Sequence, residues 1–323
     1  MRDRGFSLQG LIEDYRAELI SPVDEKTQNL VDRFIAPNQA AIVRDMYELR
    51  AETDKHLLAR LGEAVKPDEG LDGKKGYPVS FCLEITRYML RLMSREPVPP
   101  HMTGLKALHD FVRAGGIVKR IWGALRGTYF QNAIQVGSFY LDVANDTVNP
   151  DKDDIEMLPL VESGFRSLDS YFEFAQVGQI YWKYRMIPNR FFPHLAPFYP
   201  IISFSKEGVI RLESSNSYMF PMNIEKRFSP AREFVLAGEG ADEAAAPYER
   251  LLVRVAAMDP RTSRPDSALY FTPNADDATL ARNFARREAR SAVELERDVE
   301  KVLRIDTRLW KVDLRKNGLE HAE

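Results

Sequence analysis

The segment Gly127–Pro150, GTYFQNAIQVGSFYLDVANDTVNP, alternates its side chains between two faces with a period of two. Its first stretch, YFQNAIQV, and its return stretch, FYLDV, each have the length of a short β-strand. Gly137-Ser138 separates the two stretches, and a two-residue connection that begins with glycine is typical of a type II′ hairpin turn. The pattern therefore predicts a β-hairpin.

Polar side chains gather on one face of this predicted hairpin. Pairing the arms through the turn places Gln135 opposite Tyr140, and Gln131 and Gln135 become diagonal neighbours of Asp142, roughly 7–8 Å away. Asn145 follows directly in a turn-forming Asn-Asp-Thr sequence. Amides and a carboxylate on one sheet face indicate a site, although Asp142 bonding to the backbone of the next turn is the structural alternative.

The rest of the chain divides into helical and extended stretches. Residues 6–66 keep helical spacing of apolar positions, and a helix is expected to begin near Ser80 or Phe81. A short helix over 104–113 and a strand over 117–125 are expected to precede the hairpin. After the hairpin, the pattern predicts a helix from the acidic run at 151 to about residue 174, several short strands, and one long charged helix over 276–303.

These elements predict an α+β fold. An N-terminal helical layer is expected to pack on a central antiparallel sheet, with the cysteine-bearing helix against that sheet and a helical appendage at the C-terminus. We expect three segments: an N-terminal helical segment (1–66), a core with an aromatic-rich extension (77–236) and a C-terminal helical segment (237–323).

Composition narrows the classes of function. The 323 residues are 44% hydrophobic and 29% charged with a net charge of −3, so neither nucleic acid nor a membrane is an expected partner. The single cysteine excludes an internal disulfide and a multi-cysteine metal site, and no motif indicates a cofactor or another metal. The N-terminus lacks the apolar core of a secretory signal, which makes the cytoplasm the expected compartment. The sequence gives no prediction of oligomeric state.

Cys82 is the candidate nucleophile. It lies in YPVSFCLEIT, within the first turn of the predicted helix. Free backbone N–H groups and the positive end of the helix dipole favour a thiolate there. A lone cysteine on an apolar helix face is more often an inert core residue, which is the structural alternative.

YPVSFCLEIT followed by FQNAIQVGSFYLDVANDT resembles the core of transglutaminase-like cysteine proteins, which share papain-like chemistry. The resemblance covers residues 77–150. It implies that Cys82 is the nucleophile and Asp142 the orienting acid, on the strand after the one that bears the base. Gln131 stands where the family has its histidine, which is a departure from the pattern.

The missing histidine bears directly on catalysis. A thiol nucleophile normally needs an imidazole to accept and return the proton, and glutamine exchanges no proton near neutral pH. His101, His109 and His194 are the residues that a borrowed imidazole could come from.

An aromatic-rich stretch, YWKYRMIPNRFFPHLAPFY, is a second candidate for binding. Trp182 and Arg190 within it are candidate substrate-binding residues beside Gln135, Tyr140 and Asn145. Arginine offers bidentate anion binding next to aromatic faces. Packing in a core is the alternative for this stretch, since aromatic side chains fill cores more often than they build binding sites.

Two functions are consistent with these patterns. The first is a cysteine-dependent acyltransferase or hydrolase of transglutaminase-like type, with Cys82, Gln131 and Asp142 as its catalytic residues and an amide or ester as substrate. The second is a catalytically inactive member of the same fold that binds a peptide or a protein.

Overall fold

The computed structural model describes residues 6–61, 76–149, 151–215, 217–237, 244–317 and 319. The chain is an α+β protein, as predicted. Its first described helix is α1 (Leu8–Ala17), and the chain divides into two compact units. Ala17–Ser167 forms one of them, called here the hairpin unit, and the described parts of Met1–Arg16 and Leu168–Glu323 form the C-terminal unit. The predicted segment boundary at 66–77 falls mostly in residues outside those described.

Helices and one five-stranded sheet form the described part of the hairpin unit. Its helices are α2 (Glu25–Phe34), α3 (Gln39–Leu61), α4 (Cys82–Met93), α5 (Thr103–Arg113) and the short α6 (Leu160–Ser163). Its strands are β1 (Val118–Leu125), β2 (Tyr129–Val136), β3 (Phe139–Asp142), β4 (Glu156–Pro159) and β5 (Phe165–Arg166). The sheet has the order β4-β3-β2-β1-β5, and each pair of neighbours is antiparallel.

The predicted hairpin is present as β2 and β3, and its register is the expected one. Gln135 pairs with Tyr140, and Val136 pairs with Phe139 next to the turn. Gly137 adopts a φ of 57°, and a Cβ at this position would lie 2.4 Å from a methyl carbon of Val31 on α2. Both the backbone angle and the close approach of α2 require glycine at this position.

Alternation along the strands separates two apolar cores. Ile134, Val136 and Leu141 face a large core made with α2, α3, α4 and α5. Ala133 and Tyr140, from positions of the opposite parity, face a smaller cluster with Ile121, Leu125 and Phe165. The sheet is therefore covered by helices on one face and carries a second apolar layer on the other.

The C-terminal unit contains a second sheet that the sequence patterns did not predict as a separate layer. Its strands are β6 (Arg185–Pro188), β7 (Ile201–Phe204), β8 (Val209–Glu213) and β9 (Arg308–Lys311), in the antiparallel order β6-β7-β8-β9. Its helices are α1, α7 (Tyr171–Trp182), α8 (Met219–Glu225), α9 (Ser229–Leu236), α10 (Ala246–Ala257), α11 (Asp277–Glu288) and α12 (Ala292–Leu303).

Two predicted helices differ from the structure. The helix predicted from 151 to about 174 is wrong, since β4, the short α6 and β5 lie within this range and α7 begins only at Tyr171. The long helix over 276–303 is two helices, because Ser291 caps α12 through reciprocal bonds with Glu294. Within the described residues, no helix combines the length and the apolar character that crossing a membrane requires.

Candidate functional site

A closed hydrogen-bond network surrounds Asp142 at the end of β3. The Gln131 amide donates to Asp142 Oδ2 at 2.8 Å, and the Tyr140 hydroxyl donates to the same oxygen at 2.8 Å. The backbone N–H of Ala144 donates to Oδ1 at 2.9 Å. The Gln131 amide also donates to the Ala144 carbonyl at 3.1 Å, so the network binds β2, β3 and the turn after β3 together.

Burial controls the electrostatics of this network. Asp142 is fully buried, and its burial raises the pKa of Asp142 to about 6 although Gln131, Ala144 and Tyr140 all donate hydrogen bonds to it. Burial and the neighbouring Asp142 carboxylate raise the pKa of Tyr140 well above its ordinary value. All three donors to the carboxylate are neutral, so the network holds an acid in place without an ion pair.

Cys82 lies against a different part of the sheet. It is the first residue of α4, which packs on the helix-covered face, and its residue surface is partly exposed. The Asn132 amide donates to Cys82 Sγ at 3.4 Å. Arg120 on β1 donates to Asn132 Oδ1 at 2.9 Å and forms an ion pair with Glu18. Cys82 therefore ends a polar chain that runs from Glu18 through Arg120 and Asn132.

The structure places Cys82 and the Asp142 network on opposite faces of the sheet. Gln131 and Asn132 are consecutive on β2, so their side chains point to opposite sides. Asn132 shares its parity with Ile134, which faces the helices. Gln131 donates to Asp142 on the other side, where Tyr140 donates to the same carboxylate. The structure thus brings together Gln131, Asp142 and Tyr140, and separates them from Cys82.

The described contacts of Cys82 favour the neutral thiol. Burial of the sulfur raises the pKa of Cys82, and the hydrogen bond from Asn132 only partly opposes this effect. A side-chain NH₂ group accepts no proton. In the described part of the chain, none of the three candidate histidines hydrogen-bonds to the sulfur: His101 contacts Glu48, His109 contacts the Met93 carbonyl and Glu96, and His194 contacts Asn283.

Gln135 and Asn145, predicted to bind substrate, form structural contacts. Gln135 is fully buried and exchanges two hydrogen bonds of 2.8 Å with the backbone of Ser21, which fastens the start of the hairpin unit to β2. Asn145 donates to the Asp153 carbonyl at 2.9 Å, and its backbone N–H donates to the Asp154 carbonyl. Both side chains therefore hold backbone segments in place.

Trp182 and Arg190 belong to the C-terminal unit. Trp182 ends α7 and packs edge to face on Phe174, with ring centroids 5.9 Å apart. Arg190 is 9% exposed, and its guanidinium donates to Asp277, to Asn274 and to the carbonyls of Val235 and Ala275. This arginine therefore ties the segment after β6 to α9, to the start of α11 and to the residues just before α11.

Arg50 on α3 is a buried residue that the sequence patterns did not single out. Its guanidinium binds both carboxylate oxygens of Asp146 at 2.9 Å and Asp54 at 2.6 Å. Burial alone would lower the pKa of Arg50, but the hydrogen bonds to these two carboxylates outweigh it and raise that pKa. Tyr77 donates to Asp54 at 2.5 Å, which joins the segment before α4 to the same cluster. An i, i+4 pair of Arg50 and Asp54 was the only local signal for this cluster.

The described residues contain no group of three or more histidine, cysteine, aspartate or glutamate side chains arranged to hold a metal ion. Comparison of the chain with protein-family models, with curated proteins and with solved structures finds no match.

Proposed function

We propose that this protein binds a peptide or a partner protein, and that Cys82 has a structural role in it rather than the role of a nucleophile. The observation that carries the proposal is the hydrogen bond to Cys82, because an amide donor occupies the position where a cysteine enzyme needs a proton acceptor. On this proposal the likeness to transglutaminase-like proteins is confined to the sequence motif and does not extend to the family's chemistry.

Two further observations support a silent cysteine. Acyl transfer needs the thiolate, and the burial that raises the pKa of Cys82 reduces the thiolate fraction at neutral pH. The Gln131 amide is held by Asp142 and the Ala144 carbonyl, so it already has partners within the fold. One feature favours the alternative, an acyltransferase or hydrolase acting on a small amide or ester: Cys82 is the first residue of a helix, where the backbone stabilises an anion.

An apolar groove of about 420 Å³ in the hairpin unit supports the binding role. It lies between α4, α5 and the start of β1, and its walls include Leu90, Met93, Leu108 and Val112. Val112 is 49% exposed, so its apolar side chain is accessible to a ligand at the groove. A groove of this kind between two helices suits an amphipathic segment that presents apolar residues at helical spacing.

The rim of this groove, called here the α4–α5 groove, is polar and internally paired. Arg113 donates to Glu96 at 2.8 Å, and His109 lies 12% exposed between the Met93 carbonyl and Glu96. A polar rim around an apolar floor is the usual arrangement of a protein-binding surface. Because the charged groups already pair with each other, an apolar segment can enter without leaving a charge unpaired.

Catalysis is tested with an activated ester. Purified protein is mixed with p-nitrophenyl acetate, and nitrophenolate release is compared between wild type and Cys82→Ala. We expect equal rates and no burst. A burst that the Cys82→Ala variant lacks would favour the acyltransferase or hydrolase.

Binding is tested with a random-peptide phage library panned on the wild-type protein. Peptides that enrich are measured by fluorescence anisotropy against wild type, Val112→Glu and the matched control Met258→Glu, whose residue is 72% exposed and lies in the C-terminal unit. We expect Val112→Glu to weaken binding at least ~10-fold and Met258→Glu to leave it unchanged. Failure to enrich any peptide, or equal binding by both variants, would contradict the proposed function.

A further inference from the structure

A groove of about 450 Å³ in the C-terminal unit lies between α1 and a surface built from α8, α11 and α12. We call it the α1 groove. Its lining on the α1 side is Leu8, Gln9, Ile12 and Arg16, and the opposite side includes the ends of α8 and α11 and the start of α12. It shares no lining residue with the α4–α5 groove, so a role for the α1 groove is independent of the proposed function.

Helix α1 is held against this surface by a small set of contacts between described residues. Leu8 and Tyr15 are its buried residues. The Leu8 N–H donates to Glu296 on α12 at 3.0 Å, and Arg16 donates to Glu225 on α8 at 2.5 Å. The Arg16 side chain is 56% exposed, and an exposed ion pair contributes little to stability. Docking of α1 therefore depends mainly on two buried side chains.

Helix α1 is short enough to open by itself. It has ten residues, and isolated helices of fewer than about 12–15 residues are marginal in water, so its helical form depends on docking. The residues that follow are fastened within the hairpin unit: Glu18 forms an ion pair with Arg120, and Ser21 exchanges two hydrogen bonds with Gln135. Release of α1 therefore requires a backbone change near Ala17 and leaves the hairpin unit folded.

The surface beneath α1 carries apolar side chains that α1 covers incompletely. Ile224 and Phe228 are buried there, whereas Val293 on α12 is 60% exposed although it lines the same groove. Packed protein interiors leave few voids larger than a water molecule, so a groove of about 450 Å³ beside a docked helix marks an incomplete fit. A helix with a larger apolar face buries more of this surface than α1 does.

Helix α1 itself shows which chemistry fits this surface. Leu8, Ile12 and Tyr15 are spaced at i, i+4 and i+7, which places them on one face of the helix. Arg16, one turn beyond Ile12, meets the Glu225 carboxylate. A ligand for this surface is therefore an amphipathic helix with apolar residues at this spacing and a basic residue in its last turn.

We propose that α1 is a displaceable cover, and that the surface beneath it binds an amphipathic helix of a partner protein. The partner's helix carries apolar residues at the positions of Leu8, Ile12 and Tyr15 and a basic residue at that of Arg16. Because α1 is tethered, it competes at a high effective concentration, and only a helix that buries more of the α1 groove displaces it. Helix α1 thus sets a threshold of affinity that the partner must exceed.

Hydrogen exchange of the native chain, followed by mass spectrometry, tests whether α1 opens separately. We expect the amides of α1 to exchange at least ~100-fold faster than those of α12, because α1 opens without unfolding the rest of its unit. Exchange of α1 at the rate of α12 would overturn the proposal.

Binding is tested with a fluorescein-labelled peptide of residues 6–17, which stands in for the partner's helix. Full chains carrying Leu8→Asp or Arg16→Glu should bind this peptide at least ~10-fold more tightly than wild type does, because their own α1 competes less. Circular dichroism verifies the fold of both, and Arg16 is exposed. A peptide with Leu8→Asp is the matched control and should not bind.

Val293→Glu locates the binding surface. Introduced into the Leu8→Asp chain, it should weaken peptide binding at least ~10-fold, whereas Met258→Glu, at an exposed position of the same unit, should leave binding unchanged. Absence of peptide binding by both opened chains, or equal binding by the Val293→Glu and Met258→Glu variants, would overturn the proposal. A wild-type dimer in light scattering that Leu8→Asp abolishes would identify α1 of a second copy as the occupant and overturn it as well.

Discussion

Two neighbouring amide side chains of β2, Gln131 and Asn132, lie on opposite faces of one sheet and make different contacts. On one face, Gln131 completes a network of neutral donors around the buried carboxylate of Asp142. On the other, Asn132 connects the Arg120–Glu18 ion pair to the thiol of Cys82. One position along β2 separates an amide that fixes the hairpin from an amide that contacts the sulfur.

The difference shows why a cysteine near a strand of amides and acids is not by itself an active site. A catalytic triad needs its three members on one face, because each must hydrogen-bond to the next. Here Asp142 orients Gln131 and Tyr140, and Cys82 receives a hydrogen bond from a side chain on the other face. The Asp142 carboxylate and the Cys82 thiol therefore form hydrogen bonds on different faces of the sheet.

Removal of the Asp142 carboxylate should have the largest effect on stability, because it breaks the hydrogen-bond network on the Gln131 face of the sheet. Asp142→Ala leaves three buried donors without their acceptor, so we expect the free energy of unfolding of the hairpin unit to fall by about 4 kcal/mol. Urea unfolding followed by circular dichroism measures it. Asp153→Ala, which removes an exposed carboxylate nearby, is the control and should change stability by less than about 0.5 kcal/mol. Similar losses in the two variants would contradict the role given to Asp142.

The pH dependence of stability isolates the charge of Asp142. Its pKa in the folded chain, about 6, lies above the ordinary value of 3.8, so the folded state binds the proton more tightly than the unfolded state does. The resulting contribution to stability is fully present below about pH 4 and is lost as the pH rises through about 6. The Asp142→Asn variant has no carboxyl group that titrates at this position, so its stability lacks this contribution.

The difference in unfolding free energy between wild type and Asp142→Asn should therefore fall by up to about 3 kcal/mol between about pH 4 and about pH 7. Contributions of other titrating groups cancel in this difference. A difference that stays constant, or that rises with pH, would mean that the pKa of Asp142 is not raised by folding.

The substitution Gln131→Leu tests whether a change on one face of the sheet affects the other face. It removes a donor from a buried carboxylate and should cost about 2 kcal/mol in unfolding free energy. Because Gln131 faces away from Cys82, we expect the alkylation rate of Cys82 in the folded variant to equal that of wild type. A change in this rate of more than about threefold would show that the two faces are coupled.

Asn132→Leu is the complementary change, with the smallest expected effect on stability, about 1 kcal/mol. It removes the donor that opposes the rise in the pKa of Cys82, so the thiolate fraction falls and alkylation of the folded protein should slow by a few-fold. Iodoacetamide labelling followed by mass spectrometry measures the rate. Faster alkylation in this variant would show that Asn132 shields the thiol instead of stabilising its anion.

The sequence patterns correctly predicted the elements that depend mainly on neighbouring residues along the chain. The hairpin was predicted from alternation and from Gly137-Ser138, and α5 and β1 lie within about one residue of their expected bounds. The helix predicted over 151–174 is wrong because acidic residues ahead of an apolar stretch resemble the start of a helix. In β4, Met157 and its alternating neighbours pair with β3, so tertiary pairing outweighed a local helix signal.

The candidate site depended on contacts that no local pattern carries. Alternation placed Gln131 and Asp142 on one face, and they are hydrogen-bonded there. The same alternation places Asn132 on the apolar face of β2. A polar side chain on such a face indicates a specific hydrogen-bond partner. Its partner Arg120 lies on the neighbouring strand, and Cys82 is 50 residues away along the chain, so only the packed fold brings them together. Which face α4 covers is decided by that packing.

The most direct test of the central claim is the rate of Cys82 alkylation by iodoacetamide as a function of pH in the native protein. The chain has a single cysteine, so the measured rate belongs to one thiol. We predict that the rate rises only above the ordinary thiol pKa of about 8.5 and stays below that of the urea-unfolded chain at every pH. A rate that reaches its plateau below about pH 7.5, and exceeds that of the unfolded chain, would identify an activated thiolate and contradict the account.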